Sequence, residues 1–500
     1  MFLENLKREA NYTLTEKGAK THESSRSFCL DLFATIGALR RMSEDTVVDR
    51  FRLAYAEDPD MAMKILFWAR DIRGGLGERQ VFRTILKDLA EREPESVVKN
   101  LLFVSEYGRW DDLLCLLDSK TVGNYAMTTL IDQFRKDCKE YNFGDKNKIS
   151  LLAKWLPSAN TSSKEAVRLA RKIAKAIGIS ERTYRKSLTL LRKQIRIIEN
   201  NLREKDYTFD YESQPSKAML KYRKAFIRND KERYMEYLEA VAKGTSKMNT
   251  GTLYPYDIVH KCLENTGNYF YGDHEQMTEP ERKSLDVTWN QLEDFTNGSN
   301  SLVILDGSGS MYSGTNDAMK PIDVAMSLAI YFAERTKGTF HNHFITFSSR
   351  PRVIEIMGRD ILEKVQFCEK FNECSNTDLM KTFELLLRTA LDHDTPQSEM
   401  PETLYIISDM EFDCCGNADL TNFQYAKKRF EEAGYKLPNI VFWNVESRNR
   451  QQPVTKNERG VALVSGSSPR IFQMVLSGQT DPMEYMKSVI LTERYDRVKA

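Results

Sequence analysis

The chain has 500 residues, of which 41% are hydrophobic and 29% are charged. This composition is ordinary for a globular protein and excludes a fibrous or largely disordered chain, while the length exceeds what one hydrophobic core usually holds. The net charge is only +1, but residues 151–250 hold 23 Lys and Arg against 11 Asp and Glu (+12), and residues 251–500 hold 26 against 36 (−10). We therefore expect at least two domains and a strongly basic middle.

The cysteines and the apolar segments indicate where such a protein resides. The chain has eight cysteines and no Cys-x-x-Cys pair, which is typical of reduced thiols in a reducing compartment. The N-terminal residues lack an apolar stretch suited to a signal peptide, and no run of 18 or more apolar residues occurs. We expect a cytoplasmic protein that does not associate with a membrane.

Residues 27–265 have a helical pattern throughout. Segments 28–42, 46–58, 60–72, 78–92 and 95–108 each place apolar residues three or four positions apart, and Pro or Gly residues separate them. Short helices in series with brief turns predict stacked helical pairs of the HEAT-like kind. We assign residues 1–285 to an all-α domain of HEAT-like repeats.

The pattern changes near residue 296 to strands that alternate with helices. Buried strands are predicted at 301–306, 339–347, 403–412, 439–446 and 461–466, with helices opening at Pro321 and covering 376–391 and 422–434. Apolar strands separated by helices of this length predict a doubly wound, mostly parallel sheet. Residues 286–500 are therefore assigned to an α/β domain, whose ligands should bind beyond the carboxyl ends of the strands.

The segment DGSGSM (306–311) places three oxygen-bearing side chains just after the first of these strands. Asp306, Ser308 and Ser310 alternate, so they can face one side of an extended loop. Carboxylate and hydroxyl oxygens suit a hard cation such as Mg²⁺ (or Mn²⁺), and no nearby His or Cys points to zinc. The alternative is a polar strand–helix turn in which the Asp side chain caps a helix.

This segment resembles the metal-ion-dependent adhesion site of von Willebrand factor A (vWA) domains. In that family a Thr from a second loop and an Asp from a third complete the metal shell. The resemblance implies Thr377, directly before a helix, and Asp409, directly after an apolar strand. Thr377 could equally cap its helix. The implied cofactor is Mg²⁺, with an open coordination position that attracts an acidic side chain of a protein partner.

The basic middle is a candidate RNA-binding surface. Lys and Arg residues recur at helical spacing among tyrosines and a phenylalanine, so that several share one face and could follow a phosphate backbone. Two other interpretations stay open, namely a solvated outer face and a surface that docks the acidic half. The candidate residues are Arg182, Arg185, Lys186, Arg192, Lys193 and Arg196.

Helical repeats followed by a vWA domain resemble the TROVE architecture of the Ro autoantigen family, whose members bind small noncoding and misfolded RNAs. Four segments are also similar to an uncharacterised vWA-bearing family of plants, bacteria and large viruses. They are FWARDIRGGLGERQVF (67–82), TYRKSLTLLRKQIRIIE (183–199), QPSKAMLKYRKAF (214–226) and LYPYDIVHKC (253–262). The resemblance implies an RNA-binding or ribonucleoprotein scaffold with small or misfolded RNA as its partner.

Two other functions compete with this interpretation. One is a metal-dependent protein–protein interaction module that binds no RNA. The other is a metal-dependent hydrolase, which the sequence disfavours because Ser308 lacks a Gly-x-Ser-x-Gly elbow and the six histidines include no His-Glu-x-x-His pair. We expect a protein that is not an enzyme.

Overall fold

The α/β region is built on one six-stranded sheet. The structure is a computed structural model that describes residues 10–195, 197–265, 276–296, 300–313, 319–371, 378–414, 419–475 and 481–500. The strands of the sheet are β3 (Ser301–Asp306), β4 (His343–Phe347), β5 (Val353–Glu355), β6 (Thr403–Ser408), β7 (Asn439–Asn444) and β8 (Val461–Ser465). They stand in the order β5-β4-β3-β6-β7-β8, and all neighbours are parallel except β4 and β5, which are antiparallel.

Both faces of the sheet are buried. All six residues of β3 are buried, and successive side chains of a strand point to opposite faces of the sheet. Leu302 and Ile304 of β3 join an apolar cluster with Phe383 and Phe430 from helices on one face. On the other face, Tyr405 of β6 packs against Phe332 with ring centroids 4.8 Å apart. Helices therefore cover both faces, as expected of a doubly wound sheet.

The chain divides into two compact units. The sheet unit comprises Met1–Asp58 and Pro215–Thr492, and the helical unit comprises Pro59–Gln214 and Glu493–Ala500. The sheet unit also contains the short hairpin β1 (Tyr12–Leu14) and β2 (Lys20–His22). Its helices are Phe28–Thr35, Glu44–Glu57, Ser216–Asn229, Lys231–Ala242, Pro255–Leu263, Glu279–Asn290, Pro321–Arg335, Ile361–Glu369, Leu379–Asp392, Asn422–Glu432, Arg470–Val475 and Pro482–Ile490.

The helical unit is a series of helices with standard termini. Ser163 and Ser180 cap two of them, because each side chain accepts a hydrogen bond from the backbone N three residues further on. Gly178 ends the first of these helices at φ 84°, a conformation that favours glycine. The helices are Pro59–Arg70, Gln80–Arg92, Pro94–Tyr107, Gly123–Phe143, Leu152–Trp155, Lys164–Ile177, Glu181–Gln194 and Ile198–Glu204.

A buried ion-pair network ties three elements of the helical unit together. Asp112 is fully buried, and its Oδ2 accepts hydrogen bonds from Arg70 Nε at 2.8 Å and from the Arg109 backbone N at 2.9 Å. Its Oδ1 accepts from Arg83 Nε at 2.6 Å. The Arg70 side chain is only 2% exposed, so its charge depends on this one carboxylate for compensation.

The C-terminal residues close the helical unit through a second buried carboxylate. Asp71 Oδ1 accepts a hydrogen bond from Arg494 Nη2 at 2.8 Å, and Asp71 Oδ2 accepts one from the Tyr495 hydroxyl at 2.9 Å. Burial would raise the pKa of Asp71, but hydrogen bonds from Arg494 and from backbone groups outweigh it and lower the pKa. The segment 67–82, one of the four that are similar to the uncharacterised family, thus supplies both Arg70 and Asp71 to the core of this unit.

The predicted combination of a helical N-terminal region and a C-terminal, mostly parallel sheet is confirmed. Strand β3 has the predicted bounds, whereas β5 and the hairpin of β1 and β2 were not predicted because each strand spans only three residues. The predicted domains, 1–285 and 286–500, stay a prediction. The two compact units divide the chain at other positions, since residues 10–58 and 215–290 belong to the unit that contains the sheet.

A partly buried histidine makes the stability of the sheet unit depend on pH. His260 Nδ1 lies 2.6 Å from Asp323 Oδ2, and its Nε2 lies 3.3 Å from Glu264 Oε1. Burial alone would lower the pKa of His260, but its hydrogen bonds to Asp323 and Glu264 raise the pKa to about 9. The stabilisation is therefore complete below pH ~6.5 and is lost as the pH rises through about 9.

We expect the free energy of unfolding to fall by about 3 kcal/mol more in the wild type than in His260→Gln between pH 6 and pH 9.5. Urea denaturation at the two pH values measures the difference. An equal fall in both proteins would contradict the assignment of this pH dependence to His260.

Candidate metal centre

The doubly wound order creates a crevice between β3 and β6. From β3 the chain proceeds to β4 on one side, and it later returns to β6 on the other side of β3. Loops that leave the two strands diverge at such a switch point, and ligands bind there. Asp306 is the last residue of β3, and Asp409 directly follows the last residue of β6. The two carboxylates therefore stand at the carboxyl end of neighbouring parallel strands.

Asp306 is fully buried and accepts hydrogen bonds from neutral groups. Its Oδ1 accepts from the Ser308 backbone N at 2.9 Å, and its Oδ2 accepts from Ser408 Oγ at 2.6 Å. Burial, followed by repulsion from Asp409, raises the pKa of Asp306 to about 6. A nearby cation would reverse both effects, because it favours the ionised form.

The two serines of DGSGSM lie close together. Ser308 follows β3 and is 1% exposed, while Ser310 belongs to a short 3₁₀ turn, Gly309–Tyr312. Their hydroxyl oxygens are 3.0 Å apart. Two hydroxyl oxygens at this separation beside a buried carboxylate form the kind of oxygen-rich set that Mg²⁺ prefers.

Asp409 is 2% exposed and has a cationic neighbour. Its Oδ1 accepts a hydrogen bond from the Glu411 backbone N at 3.2 Å, and its Oδ2 accepts one from Arg448 Nη2 at 3.0 Å. Arg448 also pairs with Glu16 at 3.2 Å. A guanidinium thus already neutralises part of the negative charge at this edge of the sheet.

The loop after β6 has a strained backbone next to the candidate ligand Asp409. Met410 has φ 67° although it is not a glycine, and its backbone N donates to Ser408 Oγ at 3.0 Å. Strain of this kind persists where the surrounding structure imposes it, and it is frequent at functional sites. The strained turn holds Ser408 and Asp409 in place on either side of the end of β6.

The donor set fits a hard cation and not zinc. Two buried carboxylates and two hydroxyls follow the carboxyl ends of neighbouring strands, and within the described ranges no three His, Cys, Asp or Glu side chains form a cluster. Thr377, the predicted fifth ligand, lies outside the described residues. The following helix, Leu379–Asp392, is capped by Asp378, which accepts a hydrogen bond from Lys381 N at 3.1 Å.

The candidate RNA-binding residues lie on one helix of the helical unit. Arg182, Arg185, Lys186 and Lys193 of the helix Glu181–Gln194 are exposed. Arg182, Arg185 and Lys186 line one side of a surface cavity of about 620 Å³, together with Arg192 and with neutral side chains of the helix and of the loop around Ser158. Lys193 is exposed on the same helix without lining that cavity, and Arg196 lies outside the described residues.

Arg192 differs from its neighbours because it points into the helical unit. It donates to Ala153 O, Leu156 O and Ser158 Oγ, each at 2.8 Å, and burial lowers its pKa. These contacts hold the segment between two helices against the helix Glu181–Gln194. We therefore assign Arg192 to the internal structure of the unit and not to the exposed basic surface.

Sequence reasoning missed two residues of the candidate metal centre, Ser408 and Arg448. Ser408 ends a predicted strand, but a serine at a strand end carries no signal that it binds another strand's carboxylate. Arg448 follows β7 by four residues and reaches Asp409 only because β7 pairs with β6. Both contacts depend on strand order, which local sequence does not encode.

Comparison with protein families places the chain in one of them. The family model described as "Domain of unknown function (DUF2828)" matches residues 15–131 and 128–299, and the chain belongs to this family. Residues 300–498, which hold the sheet and the candidate metal centre, match the family model described as "Domain of unknown function (DUF7788)". Neither description names a vWA domain.

Two individual proteins are similar over nearly the whole chain. An uncharacterized protein of Acanthamoeba polyphaga mimivirus is 29% identical over 517 residues, which cover 96% of this chain and 87% of the relative. The predicted resemblance to a family that includes large viruses is thus confirmed. The crystal structure of the RO (RSR) protein of Deinococcus radiodurans matches 95% of both chains at 15% identity, with a TM-score of 0.40. A likeness of that extent does not establish a common fold.

Proposed function

We propose that this protein is a non-catalytic binding protein whose sheet unit is a vWA-type domain that holds Mg²⁺. The observation that carries the proposal is the pair of buried carboxylates, Asp306 and Asp409, at the switch point of the sheet beside the Ser308 and Ser310 hydroxyls. Two like charges in a buried position are costly, and a divalent cation offsets that cost. Mn²⁺ would bind to the same oxygen ligands.

In this proposal the metal captures an acidic group of a protein partner. Because Arg448 already neutralises part of the charge of Asp409, the two carboxylates do not fully compensate a Mg²⁺ ion. An open coordination position would then attract a Glu or Asp side chain. A catalytic role would need a general base or a nucleophile beside the cation. Among the described residues, the groups that donate hydrogen bonds to Asp306 and Asp409 are serines, backbone amides and Arg448. The nearby Glu446 carboxylate is already paired with Arg41, and this arrangement favours binding over hydrolysis.

The proposal predicts that Arg448 competes with the metal for Asp409. A partly exposed ion pair contributes about 1 kcal/mol, so Arg448→Gln should bind Mg²⁺ roughly five-fold more tightly than the wild type. Isothermal titration of Mg²⁺ into each protein measures this. Arg459→Gln, which removes an exposed arginine from the same loop region, should leave the affinity unchanged. If the wild type bound no Mg²⁺ or Mn²⁺, the proposed metal function would be wrong.

We further propose that the helical unit binds RNA through the exposed side chains of Arg182, Arg185, Lys186 and Lys193. Residues 151–214, the part of the basic middle that lies in the helical unit, hold 14 Lys and Arg against 7 Asp and Glu (+7). This excess and the exposure of these four side chains on one helix support the proposal. The neighbouring helix Lys164–Ile177 contributes less, because Arg168 and Lys172 are both paired with Asp118. Small or misfolded RNA in the cytoplasm is the proposed partner, and the protein would act as a ribonucleoprotein scaffold.

The RNA proposal predicts a loss of both affinity and salt dependence on charge reversal. The triple variant Arg185→Glu, Lys186→Glu, Lys193→Glu should bind structured RNA roughly ten-fold or more weakly near 0.15 M salt. Each lost phosphate contact should reduce the slope of log affinity against log salt by about 0.7 to 0.9. Filter binding over a salt series measures both quantities.

A matched control reverses three exposed charges on a different helix of the same unit. Arg135, Lys136 and Lys139 are exposed on the helix Gly123–Phe143, and their replacement by Glu should change RNA binding much less. Equal losses in both triple variants would mean that net charge and not this surface governs binding. Retained binding in the first variant would mean that RNA does not bind at this helix. If the wild type bound no RNA, a metal-dependent interaction module without RNA binding would be favoured. Within the described residues, every helix is too short or too polar to span a lipid bilayer.

A further inference from the structure

The sheet unit contains a second cavity, which the candidate metal ligands do not line. Its volume is about 490 Å³, within the ~300–1,000 Å³ range of small-molecule sites. It lies between the N-terminal segment of the unit and the loop that follows β7. The lining residues that matter here are Arg26, Phe28, Arg50, Leu53, Arg450 and Gln452.

Arg50 is a buried cation at this cavity whose hydrogen-bond acceptors are neutral, while the Asp31 carboxyl interacts with it electrostatically. It lies on the helix Glu44–Glu57 and is 6% exposed. Its guanidinium donates to Ser447 Oγ at 2.7 Å and to Asn449 O at 2.8 Å, while its Nε is buried and has no acceptor among the described residues. Burial, followed by repulsion from Arg450, lowers its pKa to about 10, so Arg50 stays charged at neutral pH. A buried charge of this kind is stabilised by an anion.

Gln452 supplies a second buried donor. Its backbone is fixed to β2 by hydrogen bonds with His22, from Gln452 N to His22 O at 2.9 Å and from His22 N to Gln452 O at 3.1 Å. The Nε2 of its side chain is buried without an acceptor in the described part of the chain. Buried polar groups are almost always hydrogen-bonded. Both donors belong to side chains in the wall of one cavity, and a ligand there that accepts hydrogen bonds would satisfy them.

The charges around the cavity favour an anion with one or two negative charges. Three arginines, Arg26, Arg50 and Arg450, stand against Glu23 and Asp31. Burial raises the pKa of Asp31 to about 6, which reduces the acidic contribution at slightly acid pH. Phe28 and Leu53 add apolar surface at the same cavity. The lining thus combines a cationic part with an apolar part.

We propose that this cavity binds a small organic oxyanion, a carboxylate or a phosphate monoester, that carries an apolar body. Arg50, Arg450 and Gln452 donate hydrogen bonds to the oxyanion, and Phe28 and Leu53 contact the apolar body. A neighbouring cavity of about 440 Å³ shares Arg26, Phe28 and Leu53 with this one, so there is room for a ligand that extends beyond the first cavity. The site is independent of the metal and RNA proposals.

The test is isothermal titration of the full-length protein with three probes that share a phenyl ring. Phenyl phosphate and benzoate carry the two oxyanions, and benzyl alcohol carries the same ring without a charge. We expect at least one oxyanion to bind one site with a Kd of about 1 mM or tighter, and benzyl alcohol to bind at least ten-fold more weakly. A preference for phenyl phosphate or for benzoate identifies the oxyanion.

Two variants locate the binding to this cavity. Arg450 is exposed, so Arg450→Gln should fold as the wild type does and weaken oxyanion binding roughly ten-fold, the loss expected for one charged hydrogen bond. Gln452→Leu removes the buried donor and should also weaken binding. Arg52 lies on the helix that carries Arg50 but does not line the cavity. The control variant Arg52→Gln should therefore bind the oxyanions as the wild type does. If neither oxyanion bound, or if Arg450→Gln and Gln452→Leu bound both as the wild type does, the proposal would be overturned.

Discussion

Replacing Asp306 by Asn should abolish Mg²⁺ binding without unfolding the protein. At a Mg²⁺ concentration 100 times its Kd, the bound metal adds about 2.7 kcal/mol to the stability of the wild type. Asp306→Asn should lose this stabilisation, because the removed charge belongs to the fully buried carboxylate of the candidate centre. In the absence of metal the variant should be at least as stable as the wild type, since it removes the repulsion between Asp306 and Asp409.

Thermal unfolding with and without Mg²⁺ measures both expectations. The wild-type melting temperature should rise by several degrees with metal, and the variant's should not change. Asp392→Asn alters an exposed aspartate at the end of the helix Leu379–Asp392 and should keep the metal response. A variant of Asp306 that bound Mg²⁺ as the wild type does would rule out the vWA-type site, whereas a variant that failed to fold without metal would show that Asp306 has a structural role.

Asp112→Ala should destabilise the helical unit by about 3–5 kcal/mol. The substitution leaves the buried Arg70 guanidinium without its carboxylate and also removes acceptors from Arg83 and from the Arg109 backbone N. A loss of this size is a large fraction of the stability of an ordinary domain. We expect the loss in residues 59–214, which form the helical unit with the C-terminal residues.

Hydrogen exchange resolved by peptide measures where stability is lost, and urea denaturation measures how much. Asp118→Ala is the matched control. Asp118 also forms ion pairs with two cations, Arg168 and Lys172, but it lies at the surface, where its side chain is 57% exposed. Its loss should cost less than about 1 kcal/mol. Similar losses from both variants would show that burial does not determine the value of these ion pairs.

The local pattern was sufficient to predict the elements that position the candidate site. The alternation of apolar strands and helices after residue 296 predicted the mostly parallel sheet, and the bounds of β3 follow directly from its apolar run. DGSGSM then placed Asp306, Ser308 and Ser310 at the end of that strand. These predictions succeed because hydrophobic periodicity and the position of a polar loop after a strand are properties of adjacent residues.

The basic helix shows where periodicity alone is insufficient. Helical spacing places Arg192 among the exposed basic residues, but its guanidinium donates to Ala153 O and Leu156 O inside the helical unit. Whether an arginine faces solvent or fixes a loop depends on carbonyl groups that are about 40 residues away in sequence. The same periodic pattern is compatible with either outcome, because long side chains can bury their stems and still find polar partners.

Local sequence is enough to predict a helical region followed by a mostly parallel sheet, and to place an Asp-x-Ser-x-Ser segment at the end of the first strand of that sheet. Three features arise only when the chain folds: Ser408 donates to Asp306, Arg448 pairs with Asp409, and residues 10–58 join the sheet unit and contribute to an arginine-bearing cavity. Secondary structure arises from contacts between near neighbours in sequence, whereas a site at the edge of a sheet depends on strand order and on side chains brought together across hundreds of residues.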